Sequence, residues 1–247
     1  MKKHLSSVIF MFAVLILWQM AAAGINAAYI LPSPAGILVR LWELREPLFK
    51  VHLPSTMLVT GIGLAISIGL GLALAIVMDM NDHVQRMLYP IIIASQTIPT
   101  TAIAPLFVLW FGYSIWSRVL VTILMTFFPV TITVYDGFQS TSREMEDLMI
   151  SMGAGKGEIF RRLKLPGALP YFFSAVKMAI PISIIGAAIG EWLGAQSGLG
   201  YFSKRMMTQL DGAGVFAPIV LLSVTAMIIV GIISAAERAL LPWRREI

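Results

Sequence analysis

Apolar residues along this chain come in long blocks and do not alternate with polar ones. Crossing the roughly 30 Å of hydrocarbon in a bilayer takes about 20 apolar residues in a helix. Six blocks qualify: 8–28, 58–78, 88–111, 119–137, 171–192 and 215–236. In lipid every backbone N–H and C=O must be satisfied within its own segment, so each block is expected to be a helix. The main charged stretch, 139–169, falls between the fourth and fifth blocks. The pattern predicts an all-α integral membrane protein of a single domain, 1–247, with six transmembrane helices and a helical loop at 139–169.

Composition agrees with the pattern. Of 247 residues, 58% are hydrophobic and 13% charged, where a soluble domain carries about a quarter charged. That excludes a disordered chain, a nucleic-acid-binding domain and an ordinary cytosolic enzyme. The net charge of +5 reads as topology signal and attraction to anionic lipid. Most Lys and Arg of the connections lie on the side of the N-terminus, which predicts both termini in the cytoplasm. Without cysteine there is no disulfide, thiolate chemistry or cysteine zinc site, and His4, His52 and His83 lie in unrelated segments, so no metal site is expected.

The first block is read as a retained span; the alternative is a secretory signal, since Lys2-Lys3 precedes it and Ala21-Ala22-Ala23 resembles a cleavage site. After Pro32-Ser33-Pro34, apolar residues at spacings of three and four from Ile37 to Leu44 predict a short amphipathic helix, a surface anchor at the interface.

Within the blocks, small and polar residues carry the information. Gly61, Ala65, Gly69 and Ala73 recur every four residues, as do Gly63, Ser67, Gly71 and Ala75, so two faces of the second helix are open to close approach by neighbours. The third block is interrupted by Pro90, Pro99 and Pro105, with Ser95, Gln96, Thr97, Thr100 and Thr101 among them. Such a segment at membrane depth is tolerated only against protein or a watery passage, and these five polar residues are the expected translocation path; a buried structural kink is the alternative. Ionised groups near the core are scarce: Asp136, Lys177, whose stem is expected to reach back to the interface, and Glu191. No carboxylate or histidine chain crosses the middle, so a proton relay is missing and the energy for uphill transport is expected from elsewhere.

In the charged stretch, Glu144 to Met152 predicts one short helix, Gly153-Ala154-Gly155 an elbow, and Lys156 to Leu163 a second helix ended by Leu165-Pro166. Leu148, Met149, Met152, Ile159 and Phe160 give this knob an apolar content that suggests docking to another protein. Gly153-Ala154-Gly155-Lys156-Gly157 is no phosphate-binding loop: Ile150 stands where the first glycine belongs, and Gly157 where Ser or Thr belongs.

Asp147-Leu148-Met149, three residues, Gly153, nine residues, then Leu163-Lys164-Leu165-Pro166 resembles the EAA loop of permease subunits of bacterial ABC importers, in which Glu-Ala-Ala, Gly and Ile-x-Leu-Pro stand at those spacings. Leu31-Pro32-Ser33-Pro34, Ile98-Pro99, Ala104-Pro105-Leu106-Phe107, Trp110-Phe111-Gly112, Leu165 to Pro170, Glu191-Trp192-Leu193-Gly194 and Ser197 to Tyr201 are similar to the nitrate, sulfonate, taurine and thiamine-precursor branch of that family.

The resemblance implies a type I importer-like permease in a bacterial cytoplasmic membrane. It implies a second permease subunit completing the pathway, as a homodimer or beside a similar chain, two ATP-binding subunits and an extracytoplasmic solute-binding protein. The chain itself would be non-catalytic, with no cofactor of its own and ATP bound by the partner. Asp147, Met149, Met152, Gly153, Ala154, Glu158, Leu163 and Pro166 would then form the ATPase-coupling loop: Gly153 as elbow, Met149, Met152 and Ala154 as apolar contacts, and Glu158 as a polar one. A passage with Ser, Thr and Gln but no Arg or Lys leans toward a neutral polar solute such as an aminopyrimidine thiamine precursor, with sulfonate, taurine or nitrate as the alternative. A secondary carrier or channel is the competing class.

Overall fold

The structure is a computed structural model that describes residues 2–25 and 27–242. It is helical throughout the described residues: α1 (Lys2–Ile25), α2 (Pro34–Glu43), α3 (Arg45–Met80), α4 (Asp82–Ser95), α5 (Thr100–Phe111), α6 (Ile115–Gln139), α7 (Arg143–Ser151), α8 (Lys156–Gly194), α9 (Leu199–Thr208) and α10 (Gly212–Leu240). Four of these, α3, α6, α8 and α10, are long and apolar enough to cross a membrane, or five spans if α4 and α5 count as one. The first expected span, 8–28, includes Asn26, which lies outside the described residues, as do Arg244 and Arg245 of the charge bias; the described apolar part of α1, Ile9–Ile25, is shorter than the other spans.

The expected third span, 88–111, is not one helix. α4 and α5 meet at a bend of 95° because Pro99 has no N–H to continue the helix and forces the preceding residue out of helical geometry. Pro99 takes an extended conformation at the start of α5. Ser95 and Thr97 donate their hydroxyls to the carbonyls of Ile92 and Ala94, at 2.6 and 2.7 Å, and so hydrogen-bond backbone carbonyls beside the break.

A second correction concerns Leu165-Pro166, which does not end a helix. α8 runs from Lys156 through both residues to Gly194, by way of a wide turn at Phe160–Lys164 in which the N–H of Leu165 reaches the carbonyl of Phe160. α3 repeats the device: the wide turn Leu48–His52 precedes Leu53-Pro54, with the N–H of Leu53 on the carbonyl of Leu48. A proline ring collides with the carbonyl four residues back in a regular helix, and a turn with five-residue hydrogen bonds gives that carbonyl another position.

α6 lies between α3 and α8, packed against both. The two small-residue faces of α3 differ in fate. Gly63, Ser67, Gly71 and Ala75 are buried, whereas Gly61, Ala65, Gly69 and Ala73 are exposed. A Cβ on Gly63 would stand 2.6 Å from Thr122 Cγ2, and one on Gly71 2.9 Å from Val130 Cγ1; on Gly61 and Gly69 it would meet nothing within 4 Å. On the other flank, Gly186 and Gly190 of α8 would bring a Cβ to 3.0 and 2.9 Å from the Cα atoms of Thr122 and Arg118. Close backbone approach is what holds helices together where lipid offers no hydrophobic reward. Across the α3–α6 contact, the Thr126 hydroxyl meets Ser67 Oγ.

α10 covers α8 through Val176, Ile180 and Ile184 against Leu222, Ala226, Ile229 and Ile233. Lys177, with a stem expected to reach back to the interface, is paired with Glu237 Oε2 of α10 at 2.6 Å. α2 is more than a surface anchor. Its Ile37 is buried, and Arg40 Nε reaches Asp211 Oδ2 at 2.8 Å, beside the start of α10. Side-chain hydrogen bonds to Glu43 and then Asp211 raise the Arg40 pKa above its ordinary value, so it stays a cation. α1 touches the bundle through the Trp18 ring, 6.0 Å from Phe216, and through Gln19, whose Oε1 accepts from the Ala35 N–H.

Candidate functional site: a coupling knob, a mid-bundle cavity and two polar ends

The knob begins where Ser142 accepts the N–H of Met145 at 3.3 Å, capping α7, with Glu144 and Glu146 in the first turn. It turns at Gly153, whose φ of +87° suits glycine alone among common residues. There the N–H of Gly153 bonds to the Ile150 carbonyl and that of Ala154 to the Met149 carbonyl, both at 2.9 Å. This pairing closes a helix through a left-handed residue. The expected coupling residues are therefore together on one short excursion, but they play unequal parts. Met152 is 78% exposed, and Leu148 and Ile150 are exposed beside it. Met149, Ala154 and Leu163 are half-buried, and Asp147 and Pro166 are exposed. Glu158 is exposed and pairs with Arg162 at 3.1 Å. Ile159 is buried and Phe160 lies 5.1 Å from the Phe138 ring, so these two anchor the knob and are not part of its free surface.

At mid-bundle, three of the five expected path residues share a cavity. Ser95, Gln96 and Thr100 line a space of about 160 Å³ with Ile98, Ile103, Leu124, Met125, Phe128 and Pro129. Thr97 and Thr101 are exposed outside it, Thr97 being tied back to the Ala94 carbonyl. The cavity lies where the polar break between α4 and α5, bent by 95°, faces α6.

The end of the bundle formed by α9 and the ends of α6 and α8 holds a polar cluster. Glu191 is 1% exposed. Its Oε2 accepts from the Thr56 hydroxyl at 3.1 Å and from the Gly200 N–H at 2.8 Å. Thr56 Oγ1 in turn accepts the Leu199 N–H at 2.8 Å, and His52 Nδ1 accepts the Gly198 N–H at 3.1 Å. Glu191 Oε1 and Arg118 Nε and Nη1 are buried without hydrogen-bond partners. The cluster clasps the start of α9 to α3 and α8. Sequence reading singled out Glu191 as an isolated ionised group; Thr56, His52 and Arg118 carried no signal in spacing, since they reach it only across the bundle.

Residues 65–242 match the family described as binding-protein-dependent transport system inner membrane component. The chain belongs to that family. The permease is 51% identical over 242 residues to the formylaminopyrimidine transport permease protein ThiX of Halalkalibacterium halodurans, covering 98% of this chain and 97% of the relative. It is 35% identical to the riboflavin transport system permease protein RibX of Chloroflexus aurantiacus, over 93% and 86% of the two chains. Its fold resembles that of a chain of the MetNI methionine ABC transporter in inward-facing conformations, with a TM-score of 0.54 and 18% identity over 78% of this chain and 96% of that one. The permease is thus a membrane transport subunit, and the likeness seen in its motifs from Leu31 to Tyr201 extends over nearly the whole chain.

Proposed function

We propose that the permease is the membrane subunit of an ATP-driven importer in the bacterial cytoplasmic membrane and that it carries a solute of the formylaminopyrimidine class. The observation that supports the solute is the 51% identity, end to end, to a permease named for that compound. Chemistry agrees: a neutral aminopyrimidine exchanges hydrogen bonds with water for hydrogen bonds with Ser95, Gln96 and Thr100, and no intramembrane charge has to be neutralised. In this reading the chain spans the membrane six times, the first span being α1 and the third the bent pair α4–α5, with both termini in the cytoplasm. It works as a homodimer, catalyses no reaction and binds no cofactor.

ATP is hydrolysed by two partner subunits whose surface clefts receive the knobs, with Met149, Met152 and Ala154 as apolar contacts and Glu158 as a polar one. An extracytoplasmic solute-binding protein delivers the cargo. Closure of the ATPase pair displaces the knobs and shifts the bundle between inward and outward openings, a coupling between distant sites through rigid elements.

The test is co-purification and transport with the complete set of subunits. A side chain at Gly153 is expected to cost about 1–2 kcal/mol in the left-handed conformation. Gly153→Asp should therefore weaken capture of the ATPase about tenfold and abolish ATP-dependent uptake of radiolabelled formylaminopyrimidine in proteoliposomes. Uptake against a gradient by the permease alone would refute the ATP-driven reading. Preference for taurine over the pyrimidine would refute the solute.

A further inference from the structure

The knob is fastened to the membrane helices at one polar point. α7 buries none of its residues. Among the described residues, its only ion pair or side-chain hydrogen bond to a membrane helix is that of Glu146 Oε1 with Lys164 Nζ, at 3.3 Å. The same Nζ donates to Asp79 Oδ1 at 2.9 Å, and that oxygen also accepts from Gln139 Nε2 at 2.9 Å. Asp79 lies in the last turn of α3, Gln139 ends α6, and Lys164 closes the wide turn of α8. One ammonium thus joins α7 to the inner ends of three membrane helices.

Local packing aims Lys164 at this point. One turn before it, Phe160 lies against Phe138; one turn after it, Ala168 is buried beside Gly137. The pair is enclosed, with side chains of Lys164 and Asp79 only 14% and 3% exposed, whereas Glu158–Arg162 on the knob itself stands open to solvent at 46% and 72%. Enclosed charges are screened far less than open ones. The covalent link between α7 and α8 is a glycine elbow: Gly153 and Gly155 flank Ala154, Gly157 follows one residue into α8, and none of the three has anything within 4 Å of where a Cβ would stand, so no side-chain packing braces their backbone.

The geometry points to Lys164 as a positioning residue of the transport cycle, strapping the docking helix α7 to the end of α3 through Glu146 and Asp79, so that displacement of α7 reaches α3 and α6 and is not absorbed at the glycine joint. This rests on the proposal above that the knob docks on an ATPase.

Lys164→Met, Lys164→Arg and Glu146→Gln are to be compared with the wild-type chain in proteoliposomes holding the complete transporter, ATP and the solute-binding protein, with radiolabelled formylaminopyrimidine as the probe. Lys164→Met should keep hydrolysing ATP while the solute carried per ATP falls about tenfold, within the range of coupling between distant sites. Glu146→Gln should show the same effect in weaker form, and Lys164→Arg, which keeps charge and reach, should remain close to wild type. Glu146 is the more open partner, so its variant folds and decides the matter if Lys164→Met does not assemble. An unchanged solute-to-ATP ratio in Glu146→Gln overturns the proposal, as does a parallel loss of hydrolysis and transport in Lys164→Met with an unaffected Glu146→Gln. Failure of the wild-type chain to bind the ATPase would refute the docking reading instead.

Discussion

Glu191 uses its two carboxylate oxygens unequally: Oε2 takes two hydrogen bonds, and Oε1 takes none although it is buried near the Arg118 guanidinium. Gly198, with φ +117°, lies directly on the carboxylate, so that a Cβ there would overlap it. Removing a buried, bonded carboxylate strands its donors and its neighbouring cation, so Glu191→Ala should destabilise the permease by about 3 kcal/mol. Glu191→Gln retains an acceptor oxygen and the shape, and should cost about 1 kcal/mol. Thermal unfolding of the purified protein in detergent, followed by loss of the monodisperse peak, distinguishes the two; equal losses would show that the negative charge matters and the retained acceptor and volume do not. The sequence marked Glu191 as unusual, because an acid at the end of an apolar block is costly. It carried no mark for His52, Thr56 and Arg118, whose relation to Glu191 depends on how α3, α6 and α8 are rotated about their own axes.

That rotation is the element-scale question, and the twin ladders of α3 show why it was only half legible. As strings, Gly61-Ala65-Gly69-Ala73 and Gly63-Ser67-Gly71-Ala75 are equivalent invitations to a neighbour. The structure spends the second on α6 and leaves the first free. What decides is the partner's surface: Thr122, Thr126 and Val130 of α6 offer short β-branched side chains at matching heights, and Ser67 adds a hydrogen bond to Thr126. Gly63→Leu should therefore be an overpacking change costing about 1–3 kcal/mol. Gly61→Ala should be neutral or stabilising by about 0.5–1 kcal/mol through helix preference. Comparison of melting temperatures of the two variants checks this, and a reversed order would mean that α6 packs on the other ladder. The helices themselves were legible because apolar length alone requires them in lipid. Proline positions were legible too, but not their consequences. Pro99 breaks its block at 95°, whereas Pro54 and Pro166 are absorbed by wide turns, because the outcome depends on whether nearby hydroxyls or a longer hydrogen-bonded ring take up the displaced carbonyls.

At the scale of the molecule, the two ends of α8 carry different chemistry. The Lys156 end holds the knob and the Asp79–Lys164–Glu146 cluster; the Gly194 end holds the Glu191 cluster, α9 and, through Asp211, α2. A 39-residue helix spans about 58 Å at 1.5 Å per residue, more than the whole bilayer with its headgroups. On the topology proposed above, the knob and the turn after Gly194 face opposite compartments, with the knob on the cytoplasmic side that the Lys and Arg bias predicts. The absence of native cysteine makes this directly measurable. Met152→Cys and Gln196→Cys place single thiols at exposed positions at the two ends. A membrane-impermeant maleimide added to intact spheroplasts should label Gln196→Cys and leave Met152→Cys unmodified until the membrane is opened. The opposite pattern would put the knob beyond the reach of any cytoplasmic ATPase, and labelling of both from one side would mean that α8 does not cross.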